Sequence, residues 1–202
     1  TFKRAVETEV YKDRYNKDGE YELPKTLIFA KDDPHADDIV DIVREVFGKG
    51  NDFCQKITYK ADDPESCLNM FRNSFNPRVV VTVDMIATGT DVKPLEILLF
   101  MRDVRSKNYF EQMKGRGTRT LGKDDLQKVT PSATDSKDHF VIIDAVGVTK
   151  SKKNRDTSKS AIQNRPNSRA SILSVMEAKS SGLFSKSRWS ASMVRTSPWY
   201  SL

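Results

Sequence analysis

Apolar residues in this chain gather into short unbroken runs, and between the runs they recur every three or four positions. Thr26-Leu27-Ile28-Phe29-Ala30 is the first run, with the length and make-up of a strand buried on both faces. Ala36 to Phe47 follows, where Ile39, Val40, Ile42, Val43 and Val46 mark one helical face that Gly48 and Gly50 bring to an end. Gln55 to Tyr59 reads as a second strand. Asp63-Pro64-Glu65 opens a helix with proline in its first turn, and Cys67 to Phe75 continues it with Leu68, Phe71 and Phe75 inward. Arg78 to Val83, Leu95 to Met101 and His139 to Asp144 are three more strand-like runs, and Tyr109 to Lys114 is a helix between the last two. This alternation predicts an α/β fold, an open and mostly parallel sheet flanked by helices.

The pattern is weaker at both ends. Residues 1–24 are polar and charged, with a turn signal at Asn16-Lys17-Asp18-Gly19, and read as a connector or hairpin. Residues 25–149 hold the alternating unit. Residues 150–202 are rich in Ser, Lys, Arg and Asn without sustained period, and read as a basic tail or linker, poorly structured, with at most a helical turn at Ile172 to Met176.

Composition adds limits. With 202 residues the chain has room for one or two domains, and 37% hydrophobic with 31% charged residues suits a water-exposed globule. No stretch approaches the roughly 20 apolar residues of a membrane span, and no signal-peptide core follows Thr1, so a cytoplasmic protein without a membrane partner is expected. A start on Thr rather than Met points to a fragment or processed chain. Cys54 and Cys67 have no metal-type spacing, and no metal site is expected. The net charge of +6 is mildly suggestive of nucleic acid, though much of the excess lies in the tail.

In open α/β sheets ligands bind at the carboxyl ends of the strands, which directs attention to the loops that follow them. After Ala30 come Lys31, Asp32, Asp33 and His35, where an aspartate is as suited to capping the next helix as to chemistry, and His35 reads as a local hydrogen-bonding residue. After Val83 comes Asp84-Met85-Ile86-Ala87-Thr88-Gly89-Thr90-Asp91: small donors for a phosphodiester and an acid for a ribose hydroxyl, or an ordinary capped turn. The third segment is Gln112-Met113-Lys114-Gly115-Arg116-Gly117-Thr118-Arg119, expected at a helix end facing the same edge. Guanidinium forks fit phosphate oxygens, and glycines at 115 and 117 let a large anion approach the backbone. Such a segment is either a basic surface turn or an arginine finger, the device that neutralises charge on a transferring phosphoryl group.

The order of these three loops matches motifs IV, V and VI of superfamily 2 helicases and translocases. Lys25 to Val148 resembles the second RecA-like domain of such motors, and is similar in particular to the motor of the R subunit of type I restriction enzymes. The resemblance rests on Lys25-Thr-Leu-Ile-Phe-Ala-Lys31, Val83-Asp-Met-Ile-Ala-Thr-Gly-Thr-Asp91 and the Gly-Arg-Gly-Thr-Arg ending at Arg119. It implies that Arg116 and Arg119 are catalytic arginines reaching ATP, with Arg119 the finger. It makes Gln112, Gly115 and Asp91 nucleotide-facing, and gives Thr88, Gly89, Thr90 and Lys31 to the nucleic acid. The loop that cradles the β- and γ-phosphates and the acid pair that holds magnesium have no match. ATP and Mg2+ are therefore expected mainly on a first RecA-like domain absent from this chain.

Three readings remain open. One is the second motor domain of a type I restriction DNA translocase, inactive alone, with double-stranded DNA, N-terminal RecA-like and nuclease domains, and methyltransferase and specificity subunits as partners. Another is a different superfamily 2 DNA or RNA helicase. The last is a non-catalytic nucleic-acid- or phosphate-binding α/β module.

Overall fold

The computed structural model describes residues 1–58, 63–83, 91–149 and 174–179. Its centre is a sheet of five parallel strands: β1 Thr26–Phe29, β2 Cys54–Lys56, β3 Val79–Thr82, β4 Ile97–Phe100 and β5 His139–Asp144. A sixth strand, β6 Ser174–Lys179, joins the outer edge, so that the order is β2-β3-β1-β4-β5-β6. Three longer helices flank the sheet, α2 Asp33–Phe47, α3 Pro64–Asn73 and α4 Lys107–Gly115. The shorter α1 Phe2–Ala5 and α5 Lys123–Gln127 lie outside this alternation.

Side-chain alternation along each strand divides the core in two. Ile28, Val79, Val81, Ile97, Leu99, Val141 and Ile143 meet the inner face of α2 on one side of the sheet. Leu27, Phe29, Val80, Leu98, Phe100, Phe140 and Ile142 meet α3 and α4 on the other. Right-handed crossover explains this split. The chain moves outward from β1 to β2 through α2, then turns back through α3 and later continues through α4, so helices travelling in opposite senses cover opposite faces. Both faces being covered is why β1, β3, β4 and β5 read as apolar runs, whereas the edge strand β2 is polar at Gln55 and Lys56.

Local chemistry sets the helix ends. Asp32 caps α2 by accepting from the His35 amide at 3.0 Å, and Gly48 closes it in the left-handed region at φ 62°. Asp63 caps α3 through the Ser66 amide at 2.9 Å, and Ser106 caps α4 through the Tyr109 amide at 3.3 Å.

Several expectations are corrected. Ile42 and Val46 are 57% and 48% exposed, because the buried stripe of α2 is narrower and consists of Ala36, Ile39, Val40 and Val43. Phe75 is exposed rather than inward, since α3 ends at Asn73; its ring lies 4.9 Å from the Arg78 guanidinium instead. The first residues form α1 and a π-helical turn, Val6–Val10, before the expected turn, which a Tyr15–Tyr21 bridge closes. The segment around Met176 is strand rather than helical turn. β5 would otherwise present an open edge of unpaired amides and carbonyls, and β6 pairs with it antiparallel along its whole length.

The amino ends of the strands are tied together by buried cations. Arg78 is 1% exposed, and its guanidinium donates to the Leu23 carbonyl at 2.6 Å, the Val129 carbonyl at 2.7 Å and the Thr130 hydroxyl at 3.1 Å. Lys25 donates to the carbonyls of Ser74, Phe75 and Pro77 at 2.7, 2.9 and 2.6 Å. Burial pushes the Arg78 pKa down to about 10, which still leaves it charged at neutral pH. Each buried acceptor left without a donor costs about 1–3 kcal/mol. Arg78→Met should therefore destabilise the chain by about 3 kcal/mol or more in urea unfolding; a loss below about 1 kcal/mol would show that the clamp is dispensable.

Candidate functional site

α4 begins beyond the carboxyl end of β4 and runs back along the sheet, burying Phe110 and Met113. Its nine residues span about 13 Å, close to the length of a four-residue strand, so its last turn arrives at the amino edge. The Gly115–Arg119 segment accordingly packs beside the start of β5. This corrects the expectation that it shares an edge with the loops after the strands.

The segment leaves the helix in tight turns: the Gly117 amide donates to the Lys114 carbonyl at 3.0 Å, and the Thr118 hydroxyl to the Gly115 carbonyl at 2.9 Å. Gly117 is required for a different reason than expected. A Cβ there would stand 2.5 Å from the Phe140 ring, so its missing side chain admits a core aromatic rather than an anion. At Gly115 a Cβ would meet nothing within 4 Å, and that side of the turn is open. Arg116 is half-buried, whereas Gln112 and Arg119 are exposed.

Asp91 comes to the same place from the loop before β4, anchored by buried Val92 and Leu95. Arg119 Nε lies 3.4 Å from an Asp91 carboxylate oxygen, with the two side chains 63% and 42% exposed. From α3, Arg72 donates to the Asp91 carbonyl at 2.8 Å. A cavity of about 370 Å³ opens between Arg72, Asp91, Lys93 and Lys128. The acid of the second loop and the second arginine of the third are therefore in contact. The contact is a single approach at Nε, and a guanidinium attracts phosphate oxygens as it does carboxylate oxygens.

Other predicted residues lie elsewhere. Lys31 is exposed at the carboxyl edge of β1, 3.8 Å from Asp32, and its amide donates to His35 Nδ1 at 3.2 Å. It faces away from the arginine segment, across the length of the strands. His35 has the local hydrogen-bonding role expected of it. Thr88, Gly89 and Thr90 lie outside the described residues. Among the described residues no group of His, Cys, Asp or Glu could hold a metal ion. None of the described helices is long and apolar enough to cross a membrane.

Sequence reasoning missed Lys137. It is 4% exposed, its backbone pairs with Leu121 in both directions at 3.0 and 2.8 Å, and its ammonium donates to the Gly117 carbonyl at 2.8 Å and to the Arg119 carbonyl. Burial lowers its pKa to about 8, against the raising effect of Glu96 and Asp91. Buried Glu96, pushed up by desolvation, is itself held by Arg14 at 2.5 Å. Nothing in the polar run Asp135-Ser136-Lys137-Asp138 distinguishes this lysine from a solvated one.

Comparison with known proteins gives the chain its relatives. No protein-family model matches it. It is 39% identical over 104 residues to the type I restriction enzyme EcoKI endonuclease subunit of Escherichia coli (strain K12), covering 47% of this chain and 9% of that protein. The EcoAI endonuclease subunit of Escherichia coli is 29% identical over 103 residues, 48% of this chain and 13% of that protein. IRC3 of Saccharomyces cerevisiae, provisionally named an ATP-dependent helicase, is 25% identical over 144 residues, 71% of this chain and 19% of that protein. Among solved structures, the Hef helicase domain of Pyrococcus furiosus aligns over 48% of this chain and 19% of that chain, with TM-score 0.36 and 22% identity. The chain thus spans only a small part of the curated relatives it matches. Over these stretches it is similar in sequence to endonuclease subunits of type I restriction enzymes and to IRC3, covering between 9% and 19% of each.

Proposed function

We propose that this chain is the second motor domain of an ATP-dependent DNA translocase, the engine of a type I restriction endonuclease subunit. It would supply the arginine-bearing wall of an ATP cleft whose other wall belongs to a first RecA-like domain. The observation that carries this reading is the contact of Arg119 with Asp91, which brings the second and third loops together on one surface. The relatives supply the rest of the context, being endonuclease subunits of type I restriction enzymes.

In this reading ATP and Mg2+ are held mainly by the first domain, and bound ATP supplies the phosphoryl group whose transfer drives movement. The residues of this chain do three things. Arg119 leaves Asp91 and places its guanidinium on the oxygens where negative charge builds, with Arg116 beside it. Asp91 takes the released position next to the nucleotide sugar, while Gln112 and Gly115 line the approach. Lys31 at the opposite edge, with Thr88, Gly89 and Thr90, tracks the DNA backbone, so that opening and closing of the cleft shifts the grip on double-stranded DNA. The nuclease domain, the methyltransferase and specificity subunits and a cytoplasmic setting complete the proposal.

A second reading, another superfamily 2 helicase acting on DNA or RNA, is favoured by the match to IRC3, which takes in 71% of this chain. Stimulation of ATP hydrolysis by RNA rather than by double-stranded DNA would select it.

The purified chain should hydrolyse no ATP above background, because its arginines act on a nucleotide bound by another domain. In the full-length protein, Arg119→Ala should lower DNA-stimulated kcat by at least about 10³-fold, the range measured for arginine fingers. Near-normal turnover would reject the motor and leave a non-catalytic binding module. Asp91→Asn should change the stability of the chain by less than about 1 kcal/mol in urea unfolding, as expected for an exposed pair. A larger loss would mean that Asp91 is structural.

A further inference from the structure

We propose that Lys137 is the positioning residue of the arginine segment, fixing where Arg119 projects without touching the nucleotide. The inference rests on the arginine-finger reading of Arg119. An arginine that must meet a developing charge needs a rigid root, since a misplacement of about 1 Å can lower the rate about a hundredfold. The root is Lys137. Its ammonium donates to the carbonyls of Gly117 and Arg119, the two peptide oxygens that bracket Thr118. Its own backbone pairs with Leu121 in both directions, so the segment is held on each side of Arg119.

Two further contacts make this hold specific to one position. Gly117 sits flush against the Phe140 ring, so the turn cannot sink deeper toward the sheet. Lys137 also lies two residues before β5, whose register is fixed by parallel pairing with β4 from Ile97 to Phe100. The position of the Arg119 backbone is thereby referred to the sheet itself, while the side chain beyond it is 63% exposed and restrained only by the exposed contact with Asp91.

The test has two arms. In the chain itself, Lys137→Gln should raise amide hydrogen exchange at residues 117–121 at least tenfold while β1 and β3 stay protected. In the full-length protein, the same variant should lower DNA-stimulated kcat tenfold to a hundredfold with little change in KM for ATP, and Lys137→Arg should restore most of the rate. Combined with Arg119→Ala, Lys137→Gln should cause no further loss, because it acts through that arginine. If Lys137→Gln does not fold, Lys137→Met and the exchange profile of Lys137→Arg carry the same comparison. Wild-type kcat with a loosened segment, or an additional loss in the Arg119→Ala background, would overturn the proposal and leave the finger reading intact. Normal turnover by Arg119→Ala would overturn that reading, and with it any role for Lys137 in turnover.

Discussion

Carbonyl ligation of buried cations is the interaction on which the rest of this structure depends. Arg14, Lys25, Arg78 and Lys137 are all buried near the amino ends of the strands, and among the described residues Glu22 and Glu96 are the carboxylates buried beside them. Isolated charge is expensive in such surroundings unless polar groups replace the lost water. Here loop carbonyls do so: three accept from Lys25, others from Arg78, and two from Lys137. Loops entering parallel strands carry acceptors that the sheet does not use, and lysine and arginine offer several donors each. Desolvation works against these gains: burial, and for Lys25 also the neighbouring Arg78 charge, lowers both lysines below their ordinary value.

This arrangement makes the amino edge the rigid side of the domain. Arg78 joins the segment before β1, the start of β3 and the chain after α5, while Lys137 adds the arginine segment to the same edge. A site on loops alone would depend on loop motion. A site rooted on such an edge takes its geometry from the sheet, which is the property that charge stabilisation in a transition state demands.

The sequence revealed what the core dictates and little of what tertiary contact dictates. β1, β3, β4 and β5 were legible because each is covered on both faces and so is written as an apolar run, whereas the edge strand β2, Cys54–Lys56, is polar at two of its three positions and overlaps the expected Gln55 to Tyr59 only in part. The three longer helices were legible from their stripes, although Ile42, Val46 and Phe75 showed that an apolar residue on the right face can still meet solvent. α1 and α5 were invisible because four or five residues are too short for a period, and α5 is settled by burial of Leu126. β6 depends on an edge that a single segment cannot announce. Motif order singled out Arg116, Arg119 and Asp91, but the edge they occupy follows from the length of α4. Gly117 was singled out for the wrong cause, and Lys137 not at all, since its acceptors lie 18 and 20 residues away in the chain.

On the arginine-finger role proposed for Arg119, the weakness of its pair with Asp91 is what would let the site switch. An exposed ion pair is worth at most about 1 kcal/mol, whereas separating a buried one costs about 3–5 kcal/mol. Had these groups been buried like Arg14 and Glu96, the arginine would be locked to its acid and unavailable to an incoming anion. At 63% and 42% exposure the pair can limit the wandering of a long side chain and still yield to a phosphate, whose attraction grows as a closing cleft excludes water. The two restraints on Arg119 are therefore graded in opposite directions. Its backbone is held by buried hydrogen bonds to Lys137, its tip by a solvent-exposed contact to Asp91, and only the second has to break for the arginine to act.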